Sequence, residues 1–195
     1  MEVKTITVIG AGPMGRAIAC VAAQAGYRTV LEDVSANILE QALDWIRQSL
    51  EEDLARGKLS AEQRDAAIGR IRTSHSVDES IREADLVIEA VADEMETKLE
   101  IFTILDKFAK PGAILASTTS SLSISEIATI TFRAEHSVGM HFFDPTPKMK
   151  SLEIVRALET SDETIALCTE VGRRMGKEVV VVTEAPDLFR AATTP

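Results

Sequence analysis

A histidine and a glutamate in one short stretch have side chains suited to proton transfer. His141 and Glu153 both lie in "MHFFDPTPKMKSLEIV" (140–155), where two prolines argue against a helix. A carboxylate bonded to one imidazole nitrogen fixes the tautomer of the ring and raises the basicity of the other nitrogen. From these residues alone, the alternative is a buried structural histidine beside an unrelated surface acid. The rest of the chain must decide between the two.

A glycine-rich segment near the amino terminus is typical of a dinucleotide site. "GAGPMG" places Gly10, Gly12 and Gly15 directly after an apolar strand and at the start of a helix. The first glycine permits a tight turn, the second lets the backbone approach a pyrophosphate, and the third allows close packing of helix and strand. Asp33 closes the second strand, where a carboxylate accepts hydrogen bonds from ribose hydroxyls and repels a 2′-phosphate. NAD is therefore favoured over NADP. FAD, which uses the same fingerprint, and a tight turn without cofactor are the weaker alternatives.

The elements that must position these residues alternate between strand and helix. Such alternation predicts an α/β, Rossmann-like, doubly wound and mainly parallel sheet, with ligands at the carboxyl ends of its strands. A helical pair is inserted after the second strand and forms an arm over about 35–71. The predicted strands are 4–10, 27–33, 85–91, 113–119, 136–143, 151–156 and 177–183, and the predicted helices are 14–26, 35–57, 60–71, 95–109, 124–130 and 161–176.

Composition excludes several classes of function. The formal net charge of −10 disfavours nucleic acid as a partner, because phosphate backbones need a basic face. No segment is long and apolar enough to span a membrane, and "MEVKTITVIGAG" runs straight into a strand without a signal peptide. Two distant cysteines, Cys20 and Cys168, suggest neither a disulfide framework nor a metal site. We expect a cytoplasmic protein.

Five sequence blocks together resemble one enzyme family over nearly the whole chain. They are "GAGPMGRAIACVAAQAGY", "DLVIEAVADEMETKLEIF", "ILASTTSSLSISEIA", "GMHFFDPTPKMKSLEIV" and "GKEVVVV", in family order. The chain resembles the N-terminal NAD-binding domain of L-3-hydroxyacyl-CoA dehydrogenases, of the 3-hydroxybutyryl-CoA type. The resemblance implies NAD-dependent oxidation of the 3-hydroxyl of an acyl-CoA, or reduction of the 3-keto form.

The resemblance also assigns roles to residues. It implies His141 as the general acid and base, Glu153 as its partner, and Ser120 as a hydrogen-bonding contact of the reacting oxygen. From composition alone Ser120 is equally suited to capping a helix, whereas a serine hydrolase is disfavoured because no G-x-S-x-G elbow is present. The implied cofactor contacts are Gly10, Gly12, Met14, Gly15, Asp33, Asp93, Lys98 and Ser120, and the implied acyl-CoA contacts are Ser49, Arg56, Lys58 and Ser120.

The sequence departs from the family pattern in three places. Asp144 and Thr118 stand where the family commonly has asparagine. After the last strand the chain reads "TEAPDLFRAATTP", without the family's Pro-Gly-Phe turn and following asparagine. We therefore expect an NAD-binding domain over 1–184, a divergent tail over 185–195, and no C-terminal helical domain. Apolar surface left exposed favours a homo-oligomer, most simply a dimer.

Three functions remain open at this stage. The first is a short 3-hydroxyacyl-CoA dehydrogenase, with an acyl-CoA as its small-molecule partner. The second is a related NAD-dependent dehydrogenase of a free hydroxy acid or sugar acid, as in the L-gulonate dehydrogenase and lambda-crystallin relatives. The third is a non-catalytic NAD-binding fragment. Basic residues on the arm favour the first, because a substrate without CoA would leave them idle.

Overall fold

Eight strands form a single sheet whose order places the amino-terminal strand near its centre. The computed structural model describes residues 2–143 and 150–184. The strands are β1 (Thr5–Ile9), β2 (Arg28–Glu32), β3 (Ile71–Ser74), β4 (Leu86–Glu89), β5 (Ile114–Ser117), β6 (Ser137–Phe142), β7 (Ser151–Arg156) and β8 (Glu178–Thr183). Their order across the sheet is β3-β2-β1-β4-β5-β6-β7-β8. All neighbours are parallel except β6 and β7, so the predicted Rossmann-like, mainly parallel sheet is confirmed.

Helices cover both faces of this sheet. They are α1 (Pro13–Gln24), α2 (Ala36–Ala55), α3 (Ala61–Gly69), α4 (Val77–Ile81), α5 (Met95–Phe108), α6 (Ile124–Ala128) and α7 (Asp162–Arg174), with a short 3₁₀ helix at Ala134–His136. One buried apolar cluster lies between the sheet and α1, α2 and α7, and a second lies between the sheet and α5. Among the described residues, no helix is long and apolar enough to cross a membrane.

Local sequence signals explain where the helices begin. Ser35, Ser60, Ser123 and Ser161 each precede a helix, and each side chain accepts a hydrogen bond from a backbone N–H in the first turn. At Ser60 the cap is reciprocal, because the Gln63 side chain accepts from the Ser60 backbone N–H.

Two elements were missed by the sequence prediction, which continued one helix through residue 71. The structure ends α3 at Gly69 and adds the edge strand β3 and the short helix α4 before β4. β3 is the short polar run "IRTS", with half-buried and exposed positions rather than an apolar face. Its strand conformation depends on pairing with β2, which a local pattern cannot reveal.

The reversal between β6 and β7 is the feature of the sheet that builds a site. In this antiparallel pair His141 stands directly opposite Glu153. Residues directly opposite each other on neighbouring strands point to the same face of the sheet. Asp144, one of the departures from the family pattern, lies outside the described residues.

Candidate active site and dinucleotide site

His141 and Glu153 are brought together by strand register. The Nδ1 atom of His141 lies 3.4 Å from Oε2 of Glu153, and the side chains are 22% and 39% exposed. This separation is longer than a typical N–H···O hydrogen bond, and such bonds commonly tighten when substrate binds. The ring of Phe143 packs against the imidazole, with 4.4 Å between centroids. The pair is therefore held in place, yet reachable from outside.

Ser120 lines the same small cavity as this pair. The cavity has a volume of about 200 Å³. Its lining residues come from the serine-rich loop after β5, from β6 and from the last two strands; they include Ser120, Leu122, His141, Glu153, Val182 and Glu184. Ser120 is exposed, and the cap of α6 is Ser123, which accepts from the Glu126 N–H. The hydroxyl of Ser120 therefore remains available for a substrate oxygen.

Glu184, a cavity residue that the sequence analysis did not identify, connects the end of β8 to the start of α6. One carboxylate oxygen accepts from the Ile124 N–H at 2.8 Å, and the other accepts from the Ser125 N–H at 2.9 Å and from the Ser125 hydroxyl. Ser125 Oγ in turn accepts from the Leu158 N–H. A carboxylate at the start of a helix is stabilised by the unpaired amides there. No local sequence pattern indicates this role of Glu184, because the contact joins residues about 60 positions apart.

The glycine loop has the shape that a dinucleotide requires. Gly10 has φ +93°, a conformation that favours glycine. A Cβ on Gly15 would lie 1.8 Å from the Gly10 carbonyl oxygen, so only glycine fits there. A Cβ on Gly12 would meet nothing within 4 Å, which leaves open space above the loop for a ligand. Met14 is half-buried and packs against the core. The three glycines therefore fit the roles predicted from their spacing.

Asp33 clamps this loop to the end of β2. Its Oδ2 accepts from the Ala11 N–H at 3.0 Å, and its Oδ1 accepts from the Ser35 N–H at 2.9 Å. Each carboxylate oxygen has two lone pairs, so both can still accept from a ribose hydroxyl. The neighbouring Glu32 is 2% exposed, and its Oε1 has no hydrogen-bond partner. Burial, together with the Asp33 charge, raises the pKa of Glu32 to about 7.

The Lys98 ammonium lies in a buried ion pair. Its side chain is 1% exposed, and its ammonium donates to both carboxylate oxygens of Glu89, at 2.8 and 3.0 Å. Glu89 also accepts from the Ser117 hydroxyl and from the Val91 N–H. The predicted direct contact between Lys98 and a ribose stays a prediction, and it requires the lysine to leave this buried pair.

Asp93 is the accessible acid of the same network. It lies 3.5 Å from the Lys98 ammonium and accepts from the Ser121 hydroxyl. Burial of its carboxyl acts to raise the pKa, but the hydrogen bonds from Ser121 and Thr119 and the Lys98 charge outweigh it, so the pKa lies below its usual range. Asp93 is thus an ionised acceptor that joins the loop after β4 to the serine-rich loop. Its predicted contact with the nicotinamide-side ribose stays a prediction.

The arm formed by α2 and α3 offers the predicted acyl-CoA contacts in a paired state. Arg56 lies 3.1 Å from a Glu52 oxygen, and Lys58 lies 3.2 Å from an Asp53 oxygen. Ser49 faces the Cys20 thiol of α1, and burial and the Asp53 charge raise the pKa of that thiol to about 12. Exposed ion pairs are weak, so Arg56 and Lys58 could exchange partners for a phosphate, but neither is a free cation.

The chain matches a known family over nearly its whole length. Residues 5–185 match the family described as "3-hydroxyacyl-CoA dehydrogenase, NAD binding domain". A curated relative, the probable 3-hydroxybutyryl-CoA dehydrogenase of Bacillus subtilis, is 42% identical over 95% of this chain and 64% of its own length. The mitochondrial hydroxyacyl-coenzyme A dehydrogenase of Homo sapiens is 37% identical over 94% of this chain and 60% of its own.

Solved structures agree with this match. The (S)-3-hydroxybutyryl-CoA dehydrogenase PaaH1 from Ralstonia eutropha superimposes with a TM-score of 0.91 and 34% identity, over 95% of this chain and 65% of that one. The 3-hydroxybutyryl-CoA dehydrogenase from Escherichia coli gives a TM-score of 0.92 and 37% identity, over 95% and 39% of the two chains. The chain therefore spans less than two thirds of the length of these relatives.

Proposed function

Because this chain belongs to the family of NAD-binding domains of 3-hydroxyacyl-CoA dehydrogenases, we propose that it interconverts L-3-hydroxyacyl-CoA and 3-ketoacyl-CoA with NAD. The observation that carries the proposal is the cavity in which His141, Glu153 and Ser120 meet, on the same sheet as the glycine loop. The domain spans 1–184, and the tail 185–195 lies outside it. Relatives named for this reaction are longer than the present chain.

His141 moves the proton in the proposed reaction. Glu153 faces Nδ1 at 3.4 Å, which leaves Nε2 as the nitrogen that exchanges a proton with the substrate oxygen. In the oxidative direction Nε2 accepts the hydroxyl proton, and the Glu153 carboxylate stabilises the imidazolium that forms. Ser120 donates a hydrogen bond to the same oxygen and orients it. General acid–base catalysis of this kind contributes a factor of about 10²–10⁴ in rate.

The glycine loop and the network around Asp93 hold the cofactor. Bound NAD supplies the hydride acceptor or, as NADH, the donor. Backbone N–H groups of the loop and of the first turn of α1 would hold the pyrophosphate, Gly12 would permit its close approach, and Asp33 would accept from the adenosine ribose. Asp93 would accept from the other ribose, and the Lys98 ammonium, 3.5 Å from Asp93, would keep this carboxylate in position. The buried Glu89–Lys98 pair fixes the two loops that flank this position.

Consumption of NADH with acetoacetyl-CoA tests the proposal directly. We expect turnover by the purified chain and a turnover rate about 10²–10⁴-fold lower in His141→Gln. The affinity of His141→Gln for NADH, measured by fluorescence, should equal that of the wild type. His136→Gln is the matched control, since this histidine ends the 3₁₀ helix and does not line the cavity. Full turnover in His141→Gln would exclude this histidine as the proton carrier. No turnover from a folded chain that binds NADH would reduce the function to cofactor binding.

One observation favours a second candidate substrate. The basic residues of the arm are paired with carboxylates, so the case for a CoA phosphate is weaker than the sequence suggested. A dehydrogenase of a free hydroxy acid would use His141, Glu153 and Ser120 in the same way. Turnover with a free 3-hydroxy acid exceeding that with its CoA ester would select this alternative.

We also propose a cytoplasmic, dimeric protein. Both cysteines are free and buried, which is typical of a reducing compartment. Val180 and Val181 on the edge strand β8 are 52% and 44% exposed, and Leu158 nearby is 81% exposed. Exposed apolar surface of this kind favours association. Light scattering at high concentration would contradict the proposal if it showed a monomer.

A further inference from the structure

Arg16 lies near the start of α1 and contacts Trp45 of α2. Within residues 2–143 and 150–184 its side chain makes no ion pair or hydrogen bond. Its guanidinium lies over the ring of Trp45, with Cζ 4.8 Å from the ring centroid. The Nε atom is buried and unsatisfied. A buried N–H without an acceptor is costly, and a guanidinium over an aromatic ring can still donate hydrogen bonds from its terminal amino groups to another ligand.

The position of Arg16 points to a phosphate-bearing ligand. It follows Gly15 directly, and its backbone N–H donates to the Gly12 carbonyl, so it belongs to the first turns of the helix that faces the dinucleotide. Within the described residues, the buried polar side-chain atoms that lack a partner are Arg16 Nε and Glu32 Oε1. Both residues flank the glycine loop, since the Glu32 carbonyl accepts from the Gly10 N–H.

Trp45 places Arg16 in line with the predicted acyl-CoA contacts. Contacts between α1 and α2 advance together, from Arg16 on Trp45 to Cys20 on Ser49, so the two helices run side by side in the same direction. Trp45, Ser49 and Arg56 have helical spacings that put them on one face of α2. At 1.5 Å per residue, Arg56 lies about 16 Å further along that face than Trp45. Arg16 therefore lies beside the end of this α2 face that is nearest the glycine loop.

Charge pairing separates Arg16 from the cations at the end of the arm helix. Arg56 and Lys58 have carboxylates at 3.1 and 3.2 Å. Arg16 has none within the described residues, and its aromatic support restricts the side chain in advance of binding. Arginine forms bidentate hydrogen bonds to phosphate, which suits a pyrophosphate better than a single point charge does.

We propose that Arg16, held by Trp45, binds the pyrophosphate of a nucleotide ligand, and that this ligand is the CoA portion of the substrate. The inference deepens the proposed function and rests on it for the choice of CoA. The same chemistry is present in NAD, whose pyrophosphate also approaches α1. Binding measurements separate these two sources without requiring turnover.

The experiment compares CoA, pantetheine and NAD⁺ as probes in calorimetric titrations. Arg16→Gln removes the charge, Arg16→Lys keeps the charge but loses the fork, and Arg47→Gln removes a neighbouring exposed arginine from α2 as the matched control. We expect CoA binding to weaken by about 10- to 100-fold in Arg16→Gln, as for loss of a charge-assisted hydrogen bond. It should weaken less in Arg16→Lys and be unchanged in Arg47→Gln. Pantetheine, which lacks the pyrophosphate, should not respond to any of these changes.

Trp45 provides a second readout in the unmodified chain. It is the single tryptophan of the sequence, so its emission reports on this one position. CoA should change that emission and pantetheine should not. If NAD⁺ rather than CoA shows the dependence on Arg16, the contact belongs to the cofactor and the proposed CoA site is overturned, whereas the proposed function is judged separately by turnover with acetoacetyl-CoA. If the affinities of wild type and Arg16→Gln agree within about twofold for both CoA and NAD⁺, the proposal is overturned.

Discussion

Replacing Glu32 by glutamine should stabilise the protein at alkaline pH. Glu32 is 2% exposed at the end of β2, its Oε1 lacks a partner, and Asp33 is adjacent. Burial and the Asp33 charge raise the pKa of this carboxyl from 4.5 to about 7. At 1.36 kcal/mol per pKa unit, ionising it in the folded chain costs about 3 kcal/mol. Glutamine has the same shape without a charge and avoids that cost.

The sign of the pH dependence follows from proton binding. Between pH 4.5 and 7 the folded chain holds a proton on Glu32 that the unfolded chain has lost. The free energy of unfolding therefore falls as pH rises through this window and stays lowered above it. We expect similar stability of wild type and Glu32→Gln at pH 5, and an advantage of about 2–3 kcal/mol for the variant at pH 8.

Urea unfolding followed by circular dichroism at pH 5, 6, 7 and 8 measures this difference. Glu40→Gln on the exposed face of α2 controls for the loss of one negative charge from an acidic protein. A difference between Glu32→Gln and wild type that is the same at pH 5 and pH 8 would refute the reasoning. So would an equal gain at pH 8 in Glu40→Gln, because the effect would then come from net charge rather than from burial.

Three further changes test the site. Lys98→Met leaves the buried Glu89 carboxylate without its cation and should lower the free energy of unfolding by about 3–5 kcal/mol. The double variant Lys98→Met/Glu89→Leu should recover most of this loss, as measured by urea unfolding. A double variant as unstable as Lys98→Met would contradict the pairing. Gly15→Ala places a Cβ 1.8 Å from the Gly10 carbonyl oxygen and should lower the melting temperature. Gly12→Ala should leave the melting temperature unchanged and weaken only NADH binding, as measured by NADH fluorescence. Equal melting temperatures of the two variants would contradict the different roles of these glycines. Glu184→Gln removes charge-assisted bonds to the start of α6 and should lower kcat with acetoacetyl-CoA while NADH affinity stays constant; unchanged kcat would show that the serine-rich loop does not depend on this residue.

The sequence predicted the sheet and the dinucleotide loop because both depend on local patterns. Apolar strands followed by glycines and helices are visible within a few residues, and serines mark four helix starts. β3 and α4 escaped prediction because they are short and polar, and β3 depends on pairing with β2. Pairing partners are set by the whole fold rather than by the strand itself.

For the candidate site, the sequence pointed to types of residue, whereas their contacts depend on the whole fold. The resemblance assigned roles to His141, Glu153 and Ser120, and the structure lines one cavity with all three. The same reasoning predicts a ribose contact for Lys98 and did not foresee its pairing with Glu89, which looks like an ordinary strand residue in the sequence. Glu184 and Arg16 drew no attention, because their importance comes from what surrounds them in space.

The position of His141 opposite Glu153 depends on one register, and the register is fixed by packing two residues away. Gly139 faces Val155 in the same ladder, and a Cβ on Gly139 would lie 2.7 Å from the Val155 Cβ. Val155 can therefore pack this closely only because residue 139 has no Cβ. A slip by one residue would turn the Glu153 side chain to the opposite face of the sheet and set a different residue against Gly139. The packing of Val155 on Gly139 thus favours the register that aligns the acid with the imidazole.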